Sequence, residues 1–376
     1  MTAARDAFEL TRKLLRFDTI NPPGDETACA RFVGDLLADA GFRVSYHPYG
    51  ERRTSVVAAI GGVADKPPLC ITGHIDTVPL GAVAWHKDPF AGETDAGRLF
   101  GRGSSDMKSG VAAFVTAALG FRDQLAGTPG LELVITGGEE TGCEGAFHLA
   151  RSTGALGRAG AILVAEPTAN YPLVGHKGAY WLNARTRGVT AHGSMPERGE
   201  NAVYKAAQAV ARLEHFDFGI APHALLGRPT LNVGTIAGGL NINSVPDEAR
   251  IGIDIRTVAG QDHKALHAAL ADLLGPGVAL EPILDVASVY TDPADPWVVK
   301  VFEIMAPILG AAPEPRTVSY FTDAAALRPA YGNPPTVILG PGEPQMAHQT
   351  DEYCITDRIG QAADAYSEII RRWCHA

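Results

Sequence analysis

A chain of 376 residues, 46% of them hydrophobic, has ample material for more than one core, and at roughly 100–200 residues per domain it is expected to form two. Its formal net charge of −10 excludes a nucleic-acid partner, which needs a basic face, and disfavours an anionic membrane surface. The five cysteines are odd in number and form no C-x-x-C pair, which argues against a disulfide framework or a cysteine zinc site and suits a reduced, cytoplasmic setting.

In chain order, helical spacing runs over 7–16 and 27–40, the second segment meeting Gly41 as a C-cap. The charged N-terminal stretch, with Arg5, Asp6, Glu9, Arg12 and Lys13, has no apolar signal-peptide core, and no stretch approaches the ~18 apolar residues of a membrane helix. Strands are expected at 53–60 and 69–72, a helix at 107–119, and short continuous apolar strands at 131–136 and 161–165. This alternation predicts an α/β domain with a mixed central sheet flanked by helices. Near His176 the rhythm changes. A strand at 179–187, a helix at 201–213, strands at 230–236 and 249–257, a helix at 263–274 and a strand at 278–283 follow in β-α-β-β-α-β order, the ferredoxin-like pattern. Residues 177–290 therefore read as an inserted α+β domain. A helix at 296–309, a strand at 336–339 and a closing helix at 357–373 return the chain to the first domain, which comprises 1–176 and 291–376.

Chemistry-bearing residues fall at the ends of these strands. The strand at 69–72 runs into Gly73-His74-Ile75-Asp76, that at 131–136 into Gly137-Gly138-Glu139-Glu140, and that at 161–165 into Glu166-Pro167-Thr168. Asp106 closes the run Gly101-Arg102-Gly103-Ser104-Ser105-Asp106 before a helix, and the strand at 336–339 leads through a Gly/Pro loop to His348. Open α/β sheets bind ligands beyond the carboxyl ends of their strands, so these side chains are placed to converge. Converging buried carboxylates need a counter-charge, and a metal supplies it. His74, His348, Asp106, Glu140 and Glu166 offer the nitrogen and oxygen donors that zinc takes, leaving Glu139 and Asp76 for proton transfer and support. Taken singly, each motif is more often a turn or a solvated loop; it is their ordered recurrence at strand ends that points to a metal. The glycines at 101 and 103 do not make a dinucleotide loop, since the third glycine and the downstream acid are missing.

Taken in order, Gly73 to Pro79, Gly101 to Lys108, Glu139-Glu140-Thr141, Glu166-Pro167-Thr168 and Ala347-His348-Gln349 resemble the co-catalytic zinc peptidases and deacylases that include acetylornithine deacetylase, succinyl-diaminopimelate desuccinylase, aminoacylase and the glutamate carboxypeptidases. The resemblance implies two Zn²⁺ per subunit, with Co²⁺ or Mn²⁺ as substitutes. Asp106 would bridge them, His74 and Glu166 would complete one site, and Glu140 and His348 the other. It makes Glu139 the general base and Asp76 the orienter of His74. In the insert, His192 matches a histidine that reaches the partner subunit's active site, implying a homodimer through 177–290, and Asn243 and Arg256 match positions that bind a substrate carboxylate. The loop at 340–353 looks most like that of the acetylornithine deacetylases, with Thr350 where proline is expected, so the expected substrate is a small N-acyl amino acid of that kind. The sibling activities of the family, and a non-catalytic metal- or peptide-binding relative, are the alternatives.

Overall fold

The structure, a computed structural model, describes residues 3–62 and 65–375. The chain divides into two compact units, the first formed by Met1–Gly175, Tyr290–Arg316 and Thr322–Ala376, the second by His176–Val289 and Thr317–Phe321.

The first unit is built on a six-stranded sheet in the order Arg43–Gly50, Arg53–Ile60, Leu131–Thr136, Leu69–His74, Ala161–Val164, Thr336–Ile338. The last four run parallel, and the hairpin of the first two joins them antiparallel. Those four strands are buried from end to end, as apolar runs covered on both faces must be. Register levels their carboxyl ends: His74 lies opposite Thr136, and Thr72 opposite Val164, which brings position 166 level with His74. Helices Ala3–Leu15, Lys108–Phe121 and Thr356–Cys374 pack on one another, and the middle one is buried from Lys108 to Ala118. Helix Thr27–Asp39 ends one residue earlier than the spacing suggested. Gly41 takes φ 88° beyond it, and the amides of Gly41 and Phe42 return to the carbonyls of Ala38 and Leu37.

The elements that the sequence reading missed are short or irregular. They include the half-exposed edge strand Arg43–Gly50, helix Glu144–Arg151, helix Ala324–Ala330 with Pro329 inside it, and a small sheet of Thr94–Asp95, Arg98–Phe100 and Tyr353–Ile355. Strand Leu69–His74 runs past the expected end at 72, so His74 sits in the sheet ladder rather than in a free loop.

In the second unit a four-stranded antiparallel sheet has the order Thr230–Gly238, Glu248–Thr257, Gly178–Arg187, Val278–Val286. Helices Ala202–Leu213 and His263–Leu274 cover it, capped by the side chains of Asn201 and Asp262. Ile251, Ile253 and Ile255 share the buried face with Leu182 and Ala184 and meet Ala206, Leu213, Leu266 and Leu270. The expectation that 291–376 lies wholly in the first domain is corrected for Thr317–Phe321. Val318 bridges to His176 and accepts the Lys177 amide at 3.0 Å, while Thr317 Oγ1 donates to the Leu225 carbonyl at 2.9 Å. So short a paired stretch carries no periodic signal. Among the described residues no helix is long and apolar enough to cross a membrane.

Candidate metal centre

The level carboxyl ends of the first unit's parallel strands bring His74, Asp106, Glu139, Glu140, Glu166 and His348 together. Ligand-capable atoms of His74, Asp106 and Glu140 lie within 4.8 Å of one another, as do those of His74, Glu139 and Glu166. Asp106 is central. Its Oδ1 lies 3.1 Å from His74 Nε2, and its Oδ2 lies 3.5 Å from His348 Nε2, so its two oxygens face two different imidazoles. His348 Nε2 also stands 3.0 Å from Glu140 Oε2, and His74 Nε2 stands 3.8 Å from Glu166 Oε1 and 4.0 Å from Glu139 Oε2.

Close packing holds Glu166 in place. A Cβ on Gly110 or on Gly340 would come within 2.2 Å of the Ala165 carbonyl oxygen, so only glycine lets the buried helix and the 340 loop close on either side of this strand end. Asp76 does more than face His74. The His74 Nδ1 sits 3.0 Å from the Asp76 main-chain carbonyl and 3.5 Å from its carboxylate. That carboxylate accepts the amides of Glu139 at 3.1 Å and Glu140 at 3.2 Å, and the Asn21 side-chain amide at 3.0 Å. Charge-assisted bonds of this kind contribute about 1.5–3 kcal/mol each, so one buried aspartate fixes both the imidazole and the glutamate pair.

The electrostatics of the cluster ask for a cation. Burial, then repulsion from Glu166, pushes Glu139 well above the carboxylate range, and burial does the same to Glu166. Burial and the Asp106 charge push Glu140 up to about 7. His348, hydrogen-bonded to Asp106 and Glu140, is pushed up to about 10. Burial opposes the charged form of His74, but bonds to Asp106 and Asp76 outweigh it and raise its pKa as well. Burial would raise Asp76 too, yet His74, Asn21 and the Glu139 amide hold it below the usual value. The cluster thus retains protons at the positions where divalent ions would place positive charge, and Glu140 Oε1 is buried without a hydrogen-bond partner. The nearby cations are committed elsewhere: Arg102 pairs with Glu352, and Lys108 donates to the Phe17 carbonyl. A hard, nitrogen- and oxygen-rich donor set with surplus negative charge fits a pair of divalent metals.

Three expected site residues lie in the second unit. His192 and Asn243 are exposed neighbours: the Gly193 amide donates to the Asn243 carbonyl at 2.7 Å, and the His192 ring bonds Ser194 Oγ at 2.7 Å. Arg256 pairs with Asp254 at 2.9 Å, and Asp254 also accepts the Trp181 indole N–H. Sequence reasoning missed Asn21, Glu352 and Asp323. Asn21 precedes a Pro-Pro turn with no motif around it. Glu352 lies inside the 340–353 loop, where nothing in its neighbours assigns it a role. Asp323, buried and accepting a hydrogen bond from Thr136 Oγ1, opens a helix too short to show periodicity.

Residues 70–372 match the sequence pattern of peptidase family M20/M25/M40. The chain belongs to that family. As an M20 protein it is a metal-dependent hydrolase of amide bonds. The acetylornithine deacetylase of Photorhabdus laumondii is 31% identical to it, across 98% of this chain and 97% of its own. Solved M20 structures share the fold. An M20 metallo-carboxypeptidase from Sulfolobus solfataricus superposes with a TM-score of 0.80 at 18% identity, covering 98% of this chain and 99% of its own. The Bacillus subtilis YXEP protein, a dinuclear metal binding peptidase, gives 0.72 at 15% identity with 98% of each chain covered.

Proposed function

We propose that this M20 hydrolase is a two-zinc deacylase that removes the acyl group from a small N-acyl amino acid of the acetylornithine type. The observation that carries the reading is Asp106, whose oxygens face His74 and His348 separately, as a bridging carboxylate must. The full-length likeness to an acetylornithine deacetylase favours this substrate class. In this reading His74 and Glu166 hold one ion with Asp106, and Glu140 and His348 hold the other. When bound, the ions would supply a water of pKa near 7 and a Lewis acid for the acyl carbonyl.

The chain's own groups do the rest. Glu139 is buried and adjoins the ligand cluster without being needed to complete either ligand set. Its carboxylate takes the proton of the attacking water and passes it to the leaving amine nitrogen as the C–N bond breaks. Asp76 keeps His74 in its ligating tautomer and holds the Glu139 amide, so the base and the ligand share one anchor. His192 donates to the developing oxyanion, and Asn243 and Arg256 bind the substrate carboxylate.

We further propose a cytoplasmic homodimer through 177–290, in which His192 serves the partner subunit's site. Support comes from the edge strand Thr230–Gly238 and from Tyr204, Ile236, Leu240 and Ile242, all 51% or more exposed in this unit. The test of substrate class is a hydrolysis panel of N-acetyl, N-succinyl and N-formyl amino acids with added zinc, cobalt or manganese. N-acetylornithine should have the highest kcat/KM. A clear preference for succinylated substrates or for dipeptides would replace this assignment with a sibling activity.

A further inference from the structure

Beside the centre lies a fully buried carboxylate that the reaction does not use, that of Glu352. Its Oε1 accepts the amides of Ser105 at 2.7 Å and Asp106 at 2.9 Å. Its Oε2 accepts the Gly103 amide at 2.9 Å and Arg102 Nη1 at 2.7 Å. The main chain continues the grip: the Gly101 amide donates to the Glu352 carbonyl at 2.9 Å, and Ser105 Oγ donates to the Tyr353 carbonyl at 2.7 Å. The loop ending in Asp106 is thus wrapped around a single side chain of the loop that carries His348.

Pairing with Arg102 does not account for this arrangement. Arg102 engages one oxygen through Nη1, and its Nη2 donates to the Pro79 carbonyl. The second carboxylate oxygen is spent wholly on main-chain amides, one of them belonging to Asp106 itself. What Glu352 fixes is the backbone of Asp106 relative to its own loop, four residues after His348, whose Nε2 stands 3.5 Å from Asp106 Oδ2.

We infer that Glu352 is a positioning residue for one of the two metal sites: by setting the Asp106–His348 separation, it tunes the affinity of the ion those residues share with Glu140. The inference rests on the two-metal reading above. It gives the centre a pair of anchors, with Asp76 tying His74 to Glu139 and Glu140, and Glu352 tying Asp106 to the loop that carries His348. Four donors converge on the two oxygens of Glu352, so an amide in its place would turn an NH₂ group toward two N–H donors.

The experiment is calorimetric titration of chelator-stripped enzyme with Zn²⁺ or Co²⁺, comparing wild type, Glu352→Gln and Glu352→Asp, with melting temperatures of the metal-free forms alongside. Wild type should bind two ions; if it does not, the two-metal reading fails on the unmutated enzyme and this inference falls with it. Glu352→Gln should bind the ion of Glu140 and His348 about 10–100-fold more weakly, the usual cost of disturbing a group that orients a ligand, and the ion of His74 and Glu166, which shares only the bridging Asp106, with a smaller loss. Glu352→Asp, which keeps the charge on a shorter stem, should fall between the two, and it carries the test alone if the glutamine variant does not fold. Two ions bound with wild-type affinities in a folded variant would overturn the inference. So would equal weakening of both sites with a lowered metal-free melting temperature, which marks general damage.

Discussion

The two units present their functional side chains in opposite ways. In the first, His74, Asp76, Glu139 and Glu166 are buried, level with one another, and bound into a ladder of main-chain and carboxylate contacts. In the second, His192 and Asn243 are exposed on touching loops, and the His192 ring bonds the hydroxyl and amide of its near neighbour Ser194. In the proposed reading, the groups that would hold cations at fixed separation are built into a sheet, and those that would meet a substrate or another subunit wait on loops. The two kinds of residue should therefore fail differently when altered.

The largest effect is expected at the buried end. Glu139→Ala should lower kcat by about 10²–10⁴ while the metals stay bound, because the proton carrier is lost and the ligands are not. Metal content and turnover measured on one sample decide it; near-normal turnover with full metal would remove Glu139 from the reaction. At the exposed end, His192→Ala should lower kcat by roughly 10²–10³ with metal content unchanged, since its contact counts most in the transition state. Mixing the two inactive variants under exchange conditions sharpens the contrast. If His192 acts across a dimer, a mixed dimer has one intact site, and about a quarter of wild-type activity should return by random exchange. No recovery despite proven exchange would place His192 in its own subunit's site.

Metal removal should be felt chiefly by the first unit. Glu140 moves from 4.5 to about 7 on folding without metal, and Glu139 and Glu166 move in the same direction, so the metal-free folded state binds more protons than the unfolded chain. The stability these groups give is complete below about pH 4.5 and is lost as pH rises through about 7. The melting-temperature gap between loaded and stripped protein should thus widen from pH 5.5 to pH 8. Binding at a hundredfold excess over Kd alone is worth about 2.7 kcal/mol. A gap that does not change with pH would count against a buried, uncompensated cluster. The smallest effect is expected at Arg256. Arg256→Lys keeps the charge and loses the fork, so KM should rise about tenfold with kcat nearly unchanged. A fall in kcat instead would tie Arg256 to the transition state.

The sequence made the first unit's site legible because strand ends are easy to mark: a continuous apolar run stops and an acid or histidine follows. Strand 131–136 is bounded correctly for that reason, glycines mark the ends of strand 53–60 and helix 263–274, and the β-α-β-β-α-β order is intact in the second unit. Anchors were not legible. Asn21 and Asp323 reach the centre from segments without periodicity, and Asp76 showed its nearness to His74 but not its hold on two distant amides. Such bonds join residues far apart in the chain, and no local pattern encodes them. Arg256 illustrates the opposite limit. Its type and strand placement suit a carboxylate, but the sequence did not show that Asp254, two residues away on the same strand, engages its Nε and Nη2.

The first unit is discontinuous, and this has a consequence for the order of events during synthesis. His74, Asp106, Glu139, Glu140 and Glu166 all leave the ribosome before the second unit is made, whereas Thr336–Ile338, His348 and Glu352 come after it. At about 5–20 residues per second, roughly 14–55 s separate the appearance of His74 from that of His348. For that interval the nascent chain carries the acidic half of a metal cradle with its sheet still missing an edge. The inserted unit, contiguous but for Thr317–Phe321, can collapse around its own core meanwhile. On the proposed ligand assignment, the ion shared by Glu140 and His348 is fully ligated only once the C-terminal segment has docked, so the centre is completed late in maturation.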